Sequence, residues 1–341
     1  MHADELRGTA RALVAAGKGI LAADESTGTM DKRLEAVEVE STEGVRRAYR
    51  ELLITTPGAG EFISGVILYD ETIRQETSAG TRFTEVLGRQ GIVPGIKVDT
   101  GAKPLAGASG EKVTEGLDGL RERVAEYRGL GARFAKWRAV IAIADGIPSR
   151  YCIEANAHAL ARYAALCQEG GLVPIVEPEL LMDGDHSIER CYEESAATLH
   201  AVFHALHEQR VELQGMLLKP SMVIAGKDCP RQAGVEEVAE ATVRCMREAV
   251  PAAVPGLVFL SGGQSDELAS AHLNAMNRLG PQPWALSFSY GRALIASSLE
   301  TWRGDEANVE AAQRTFLHRA ACNSAARSGT YSADLEAQLV A

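Results

Sequence analysis

Along this chain, short apolar runs that are continuous rather than alternating repeatedly end on charged or hydroxyl residues. Five stand out: Phe134–Arg138 (FAKWR), Val173–Glu179 (VPIVEPE), Gly215–Pro220 (GMLLKP), Gly256–Gln264 (GLVFLSGGQ) and Pro283–Arg292 (PWALSFSYGR). A strand buried on both faces reads as an unbroken apolar run, because neither face meets water. The chain between successive runs is long enough for a helix and two turns, the size of a strand-plus-crossover unit. Three earlier runs, Gly19–Ala23, Phe62–Tyr69 and Ile92–Val98, predict further strands and bring the set to eight.

The intervals carry helical spacing. From Arg150 to Gly170, apolar Ile153, Ala157, Leu160, Ala164 and Cys167 recur at three or four residues, and Gly170-Gly171 supplies a stop. Tyr192, Leu199, Phe203 and Leu206 make a similar stripe across Ser187–Glu208. Val235, Val238, Ala239 and Met246 make another, with Thr242 as a polar member and Pro251 beyond it. Strands alternating with helices predict an α/β fold, a (β/α)8 TIM barrel whose strands deliver their carboxyl ends to one mouth. Such a barrel takes about 250 residues, so a chain of 341 holds one barrel with terminal extensions. No linker, repeat or low-complexity run marks a boundary. Residues 1–341 therefore read as a single domain, with 331–341 a mobile C-terminal tail.

Composition narrows the function. The apolar fraction is 46%, and no stretch approaches the ~20 apolar residues of a membrane span. The N-terminus carries Asp4 and Glu5 and lacks the apolar core of a signal peptide. Six scattered cysteines without a Cys-x-x-Cys pair read as reduced thiols of a cytoplasmic protein. A net charge of −11 argues against nucleic acid or an anionic membrane as partner. Against that acidic background Lys97, Lys136, Arg138, Lys219 and Arg292 all fall at strand ends. A cationic cluster at the mouth of an acidic protein fits a buried anion, with organic phosphate the first choice.

Lys219 leaves the run Met216-Leu217-Leu218 just before Pro220. A lysine desolvated beside another cation loses its proton more readily and can attack a carbonyl to form a Schiff base, with Lys136 as the neighbour. Strand-end lysines also commonly just carry their charge out to solvent. Glu177, with Glu179, follows Ile175-Val176 and could supply the acid that expels water from a carbinolamine, or serve only as an ion-pair partner. Asp24, delivered by Ile20–Ala23, could take a proton from a substrate hydroxyl. By position alone, an Asp or Ser capping the next helix is the commoner use. Ser261-Gly262-Gly263 and Ser289-Tyr290-Gly291-Arg292 end the last two strands, where barrels of this class commonly bind phosphate. Glycine lets backbone N–H groups approach closely, and arginine grips in a bidentate way.

Other patterns carry less. Gly17-Lys18-Gly19 precedes its strand and is not a P-loop. His200, His204 and His207 share one helix face, but that helix belongs to the outer ring, which argues against a metal site. Asp183-Gly184-Asp185-His186 lacks the rest of a calcium loop and reads as a turn.

Taken together, these stretches resemble class I fructose-1,6-bisphosphate aldolases. The matching segments are GKGILAADESTG (17–28), GVILYDET (65–72), GIKVDTG (95–101), FAKWR (134–138), VPIVEPE (173–179), LLKP (217–220), FLSGGQS (259–265) and FSYGRAL (288–294), in order along nearly the whole chain. The resemblance implies a homotetrameric enzyme of glycolysis and gluconeogenesis that needs no metal or other cofactor. Lys219 matches the Schiff-base lysine and Glu177 the acid/base for the imine, with Glu179 its neighbour. Asp24 matches the group acting on the C4 hydroxyl, and Lys136 and Arg138 match the active-site cation and a sugar-phosphate contact. Ser261, Gly262, Ser289, Gly291 and Arg292 match the 1-phosphate site, while Ser26, Thr29, Lys32 and Lys97 lie where the far phosphate is held. Thr29 stands where many members carry serine, which keeps the hydroxyl. Many animal members end in a tyrosine that helps protonate the enamine. This sequence ends Leu339-Val340-Ala341 and its last tyrosine is Tyr331, so either Tyr331 reaches the mouth or another group does that step. A Schiff-base aldolase for another phosphorylated sugar and a barrel scaffold without catalysis are the competing readings. Two phosphate-contact groups favour a bisphosphate, and no histidine ends a predicted strand as a metal-dependent aldolase would require.

Overall fold

The computed structural model of the chain describes residues 2–337. Ten strands form: β1 Gly19–Ala23, β2 Ile63–Leu68, β3 Val93–Lys97, β4 Gly101–Pro104, β5 Lys112–Glu115, β6 Phe134–Ile141, β7 Val173–Leu180, β8 Leu217–Leu218, β9 Gly256–Phe259 and β10 Ala285–Tyr290. Eight of them close a parallel barrel in the order β1-β2-β3-β6-β7-β8-β9-β10, and β4 and β5 make a separate antiparallel hairpin. With helices around it, the barrel is a single (β/α)8 domain.

The alternation of side chains along each strand decides what reaches the mouth. Ile20, Ala22, Ile67, Phe134, Val173, Ile175, Leu217 and Val258 form one buried cluster inside the barrel. Their neighbours Leu21, Ala23, Leu68, Ala135, Val176, Leu218 and Leu257 belong to a second cluster that packs against the helices. Continuing the inward parity past the last apolar residue gives Asp24 after Ala22, Lys136 after Phe134, Glu177 after Ile175 and Lys219 after Leu217. The helix Ala3–Leu13 closes the opposite end, with Leu6, Ala10 and Leu13 in the inner cluster.

Within the barrel the Phe134 ring is fully buried and fits only because its neighbours are small. A Cβ on Gly95 would lie 2.2 Å from Phe134 Cζ, and one on Gly65 would lie 3.1 Å from its Cε1. Outside the barrel Tyr163, on the helix Arg150–Glu169, stacks on Trp137 with ring centroids 5.5 Å apart. Its hydroxyl donates to Ala135 O at 2.7 Å and to Ile175 O at 3.1 Å, tying together the two strands that carry Lys136 and Glu177.

The predicted strands differ from the observed ones mainly at their polar ends. Gly215–Pro220 shrinks to the two residues of β8 after a 3-10 turn at Leu213–Gly215, although Lys219 N still donates to Val176 O at 2.8 Å. Pro220 has no N–H and cannot extend the ladder. Gly256–Gln264 stops at Phe259, and Gly262 and Gly263 turn the chain with φ of 60° and 89°. Arg292 leaves its strand to open the helix Arg292–Trp302. Ser187 caps the next predicted helix rather than starting it, its Oγ accepting from Arg190 N at 3.3 Å.

The tail is described through Ala337, and there it is anchored rather than free. Tyr331 N donates to Asn274 Oδ1 at 3.0 Å, Tyr331 Oη donates to Glu336 Oε1 at 2.6 Å, and Glu336 pairs with Arg319. The last part of that segment, 338–341, lies outside the described residues. Among the described residues no helix is long and apolar enough to cross a membrane.

The packing around Phe134 predicts that Gly95→Ala overpacks the barrel, at a cost of about 1–3 kcal/mol. Urea denaturation should register that loss, and adding Phe134→Leu should return part of it. An unchanged midpoint in Gly95→Ala would contradict this packing.

Candidate active site

At the carboxyl ends of the strands the barrel opens into a cavity of about 690 Å³. At its floor stand four charged side chains in a chain of contacts. Lys219 Nζ lies 3.1 Å from Glu177 Oε1, Lys136 Nζ lies 3.3 Å from Glu177 Oε2, and Lys136 Nζ lies 2.7 Å from Asp24 Oδ2. The Lys136–Glu177 contact is ionic rather than hydrogen-bonded, and Glu177 Oε2 makes no hydrogen bond. Lys136 and Lys219 are each 4% exposed and Glu177 is 3% exposed. Charges this deep persist only because they face one another.

Their protonation follows from that arrangement. Burial alone would raise the Asp24 pKa, but the Lys136 ammonium, helped by Lys219 and Lys97, overrides it and holds the group down at about 2. Burial likewise opposes charge on Glu177. Lys136, Lys219 and Arg138 outweigh burial and keep it below the ordinary carboxylate range, with Asp24 pulling the other way. Burial would strip the proton from Lys136, yet Asp24, Glu177 and Asp99 together raise its pKa. Lys136 is therefore a fixed cation between two carboxylates, and Lys219 is the amine at the end of the row.

The remaining predicted residues surround this floor, and all of them line the same cavity. Arg138 pairs with Glu179 on the neighbouring strand. Lys97 Nζ donates to Asp99 Oδ1 at 2.5 Å and to Asp99 O at 2.8 Å. Ser261, Gly262, Ser289, Gly291 and Arg292 gather at the ends of β9 and β10. Ser289 Oγ is buried and has no hydrogen-bond partner among the described residues. A Cβ on Gly263 would come within 3.2 Å of Arg292 Nη2, so the absence of a side chain there leaves the guanidinium its place. Ser26, Thr29 and Lys32 form another polar group at the start of the helix Thr27–Ala36. Ser26 occupies the N-cap position, but its hydroxyl makes no cap bond and instead lies 3.1 Å from Thr29 Oγ1. Asp24 does not cap the helix either. Two hydroxyls, a helix N-terminus and Lys32 suit an anion.

Several cavity residues escaped the sequence reading. Asp99 both holds Lys97 and accepts from Arg138 N at 3.3 Å, and it stands two residues past Lys97 in the segment 95–101. Glu25 is buried between Arg33 and Arg50, neither of which any apolar run announced. His200, His204 and His207 are exposed on the outer helix and none lines the cavity. Tyr331 does not line it either and lies instead against Asn274 and Glu336.

Known proteins place this geometry. The family model described as fructose-bisphosphate aldolase class-I matches residues 5–340. A Xanthomonas campestris pv. campestris protein named "Probable fructose-bisphosphate aldolase class 1" is 60% identical over 332 residues, covering 97% of this chain and 99% of that one. An Arabidopsis thaliana protein named "Fructose-bisphosphate aldolase 6, cytosolic" is 54% identical over 333 residues, covering 97% and 93%. The solved structure of fructose-bisphosphate aldolase from Plasmodium falciparum, in complex with TRAP and a small-molecule inhibitor, superposes with a TM-score of 0.96. Its identity is 52%, over 97% of this chain and 96% of that chain. With a closed eight-stranded barrel, a mouth of paired lysines and carboxylates, and these matches over nearly its whole length, the chain belongs to the class I fructose-bisphosphate aldolase family.

Proposed function

We propose that this lyase cleaves fructose 1,6-bisphosphate through an imine on Lys219, in the cytoplasm, as a step of glycolysis and gluconeogenesis. The observation that carries the reading is the contact row Lys219–Glu177–Lys136–Asp24 at the floor of the mouth. A proton passed along the 3.1 Å contact from Lys219 to Glu177 produces a nucleophilic amine and a carboxylic acid in one move. The amine adds to the C2 carbonyl of the open-chain sugar. Glu177 returns the proton to the carbinolamine oxygen, which leaves as water and gives the iminium.

The iminium then accepts the electron pair of the C3–C4 bond. Asp24, ionised at neutral pH, takes the C4 hydroxyl proton, and glyceraldehyde 3-phosphate departs with C4 as its aldehyde carbon. Asp24 is a weak base at a pKa of about 2, so the driving force comes from the iminium. Lys136, a permanent cation, holds Asp24 in place and offsets charge on the substrate oxygens. C3 of the enamine then takes a proton, and the one that Asp24 removed from the C4 hydroxyl, passed on within the mouth, balances that step and returns Asp24 to its carboxylate. Water then releases dihydroxyacetone phosphate and restores the lysine. No metal is required, because the nitrogen cation stores the charge.

Two anion-binding groups support a bisphosphate over a monophosphate. Ser261, Gly262, Ser289, Gly291 and Arg292 would hold the 1-phosphate, and Ser26, Thr29 and Lys32, with Lys97 and Arg138 nearby, the far one. A homotetramer is the assembly the family resemblance implies.

Lys219→Ala should abolish cleavage. Asp24→Asn should lower kcat by about 10²- to 10⁴-fold, the usual worth of a positioned proton acceptor. The wild-type rate should persist in EDTA. A wild type silenced by chelator, or a Lys219→Ala enzyme that still cleaves the sugar, would exclude this mechanism.

The same row makes stability depend on acid. Asp24, ordinarily 3.8, titrates near 2 in the fold. It therefore binds fewer protons folded than unfolded, and its stabilisation is full above about pH 4 and lost as pH falls through about 2. The denaturation midpoint should drop over that window. Lys136→Met should remove this part of the slope, and an identical slope in both proteins would show that Lys136 does not hold Asp24 down.

A further inference from the structure

On the flank of the barrel, away from the mouth, three side chains of different donor chemistry converge. His318 and Cys322 stand one turn apart on the helix Val309–Arg327, and Glu336 comes from the short C-terminal helix Ala333–Glu336. His318 Nε2 lies 3.7 Å from Cys322 Sγ and 3.9 Å from Glu336 Oε2. All three ligand atoms fall within 4.8 Å of one another, and no other such trio of His, Cys, Asp or Glu is found among the described residues. His318 and Cys322 are buried and Glu336 is half-buried.

We propose that His318, Cys322 and Glu336 bind a borderline-soft divalent cation, Zn²⁺ foremost, which fastens the C-terminal segment to the helix beneath it. Bonds of roughly 2.0–2.3 Å around a tetrahedral Zn²⁺ set the ligand atoms roughly 3.3–3.7 Å apart, so the two pairs that include His318 already lie close to that spacing and closing the trio takes side-chain shifts of up to about 1 Å. One nitrogen, one sulfur and one carboxylate oxygen suit Zn²⁺ rather than Mg²⁺ or Ca²⁺, which take oxygen ligands. The partly open side at Glu336 admits water as the fourth ligand.

Neighbouring groups accommodate the ion. Tyr331 Oη holds Glu336 Oε1 at 2.6 Å and leaves Oε2 directed at the histidine. Arg319 shares Oε2 but is also anchored by Asp266 O at 2.9 Å and Ser270 Oγ at 2.8 Å, so it can yield the carboxylate without losing its place. The thiol is protonated without metal, since burial, then Glu336, raises its pKa to about 11. Binding is thus Cys–SH plus Zn²⁺ giving a Zn–thiolate and a released proton, and affinity increases with pH. One thiolate and one carboxylate offset the ion's two charges, and Arg319 beside Glu336 leaves the site with one net positive charge. None of the three ligands lines the mouth cavity, so the site is independent of sugar cleavage.

The test uses the full chain, stripped with EDTA and dialysed against Zn²⁺ or Co²⁺. The wild type should take up one equivalent of Zn²⁺ at this site, and Co²⁺ should give a thiolate-to-cobalt charge-transfer band in the near ultraviolet. Cys322→Ser should lose the band, and Glu336→Gln, a change of nearly the same shape at a half-buried residue, should weaken binding by about 10-fold or more. Protease cleavage within the C-terminal segment should slow with Zn²⁺ in the wild type and not in the variants. Circular dichroism confirms that each variant is folded. An absent cobalt band, or Zn²⁺ binding unchanged in both variants but lost in His204→Ala at the exposed His204–Glu208 pair, would overturn the proposal.

Discussion

Two lysines and two carboxylates meet at the top of a barrel whose interior below them is largely apolar, and each is tolerable there only because the others are present. An uncompensated buried charge costs several kcal/mol, and breaking a buried pair costs about 3–5 kcal/mol. Asp24, Lys136, Glu177 and Lys219 come from β1, β6, β7 and the end of β8, so the electrostatic row holds only if those strands keep their mutual register. Register is fixed lower down by packing. The Phe134 ring occupies the space left by Gly65 and Gly95, and a one-residue slip of β6 would exchange Lys136 for Ala135 or Trp137 at the mouth. Stability and chemistry thus depend on the same alternation of side chains.

That dependence explains how much was legible in the sequence. The strands could be read because both faces of each are buried, which leaves an uninterrupted apolar run. The floor residues could be read because each sits at the point where such a run turns polar. Strand ends were less legible: β8 keeps only Leu217 and Leu218 in regular ladder form, since Pro220 cannot donate and the approach through Leu213–Gly215 is a turn. The hairpin of β4 and β5 has no apolar run at all, being short and largely exposed, although it reaches the mouth and Thr114 Oγ1 donates to Arg138 O at 2.7 Å.

Residues that act at one remove gave no such signal. Arg50 is buried against Glu25, yet it lies on a helix beside Arg46 and Arg47, and nothing in that run of arginines marks which of them turns inward. Asp99 is one of several acidic residues near strand ends, and only its contacts with Lys97 and the Arg138 amide show what it holds. Residues 331–337 read as a tail because they have no periodicity of their own. Their anchoring comes from Asn274 and Arg319 on other helices, a long-range fact that local pattern does not carry.

The central claim is that Lys219 is the nucleophile that bonds to the sugar. The most direct measurement incubates the protein with fructose 1,6-bisphosphate in EDTA, reduces with borohydride, and maps the modified peptide by mass spectrometry. The account predicts a stable adduct on Lys219 that forms only when the sugar is present. An adduct on Lys136 instead, or none under conditions where the sugar is being cleaved, would contradict it.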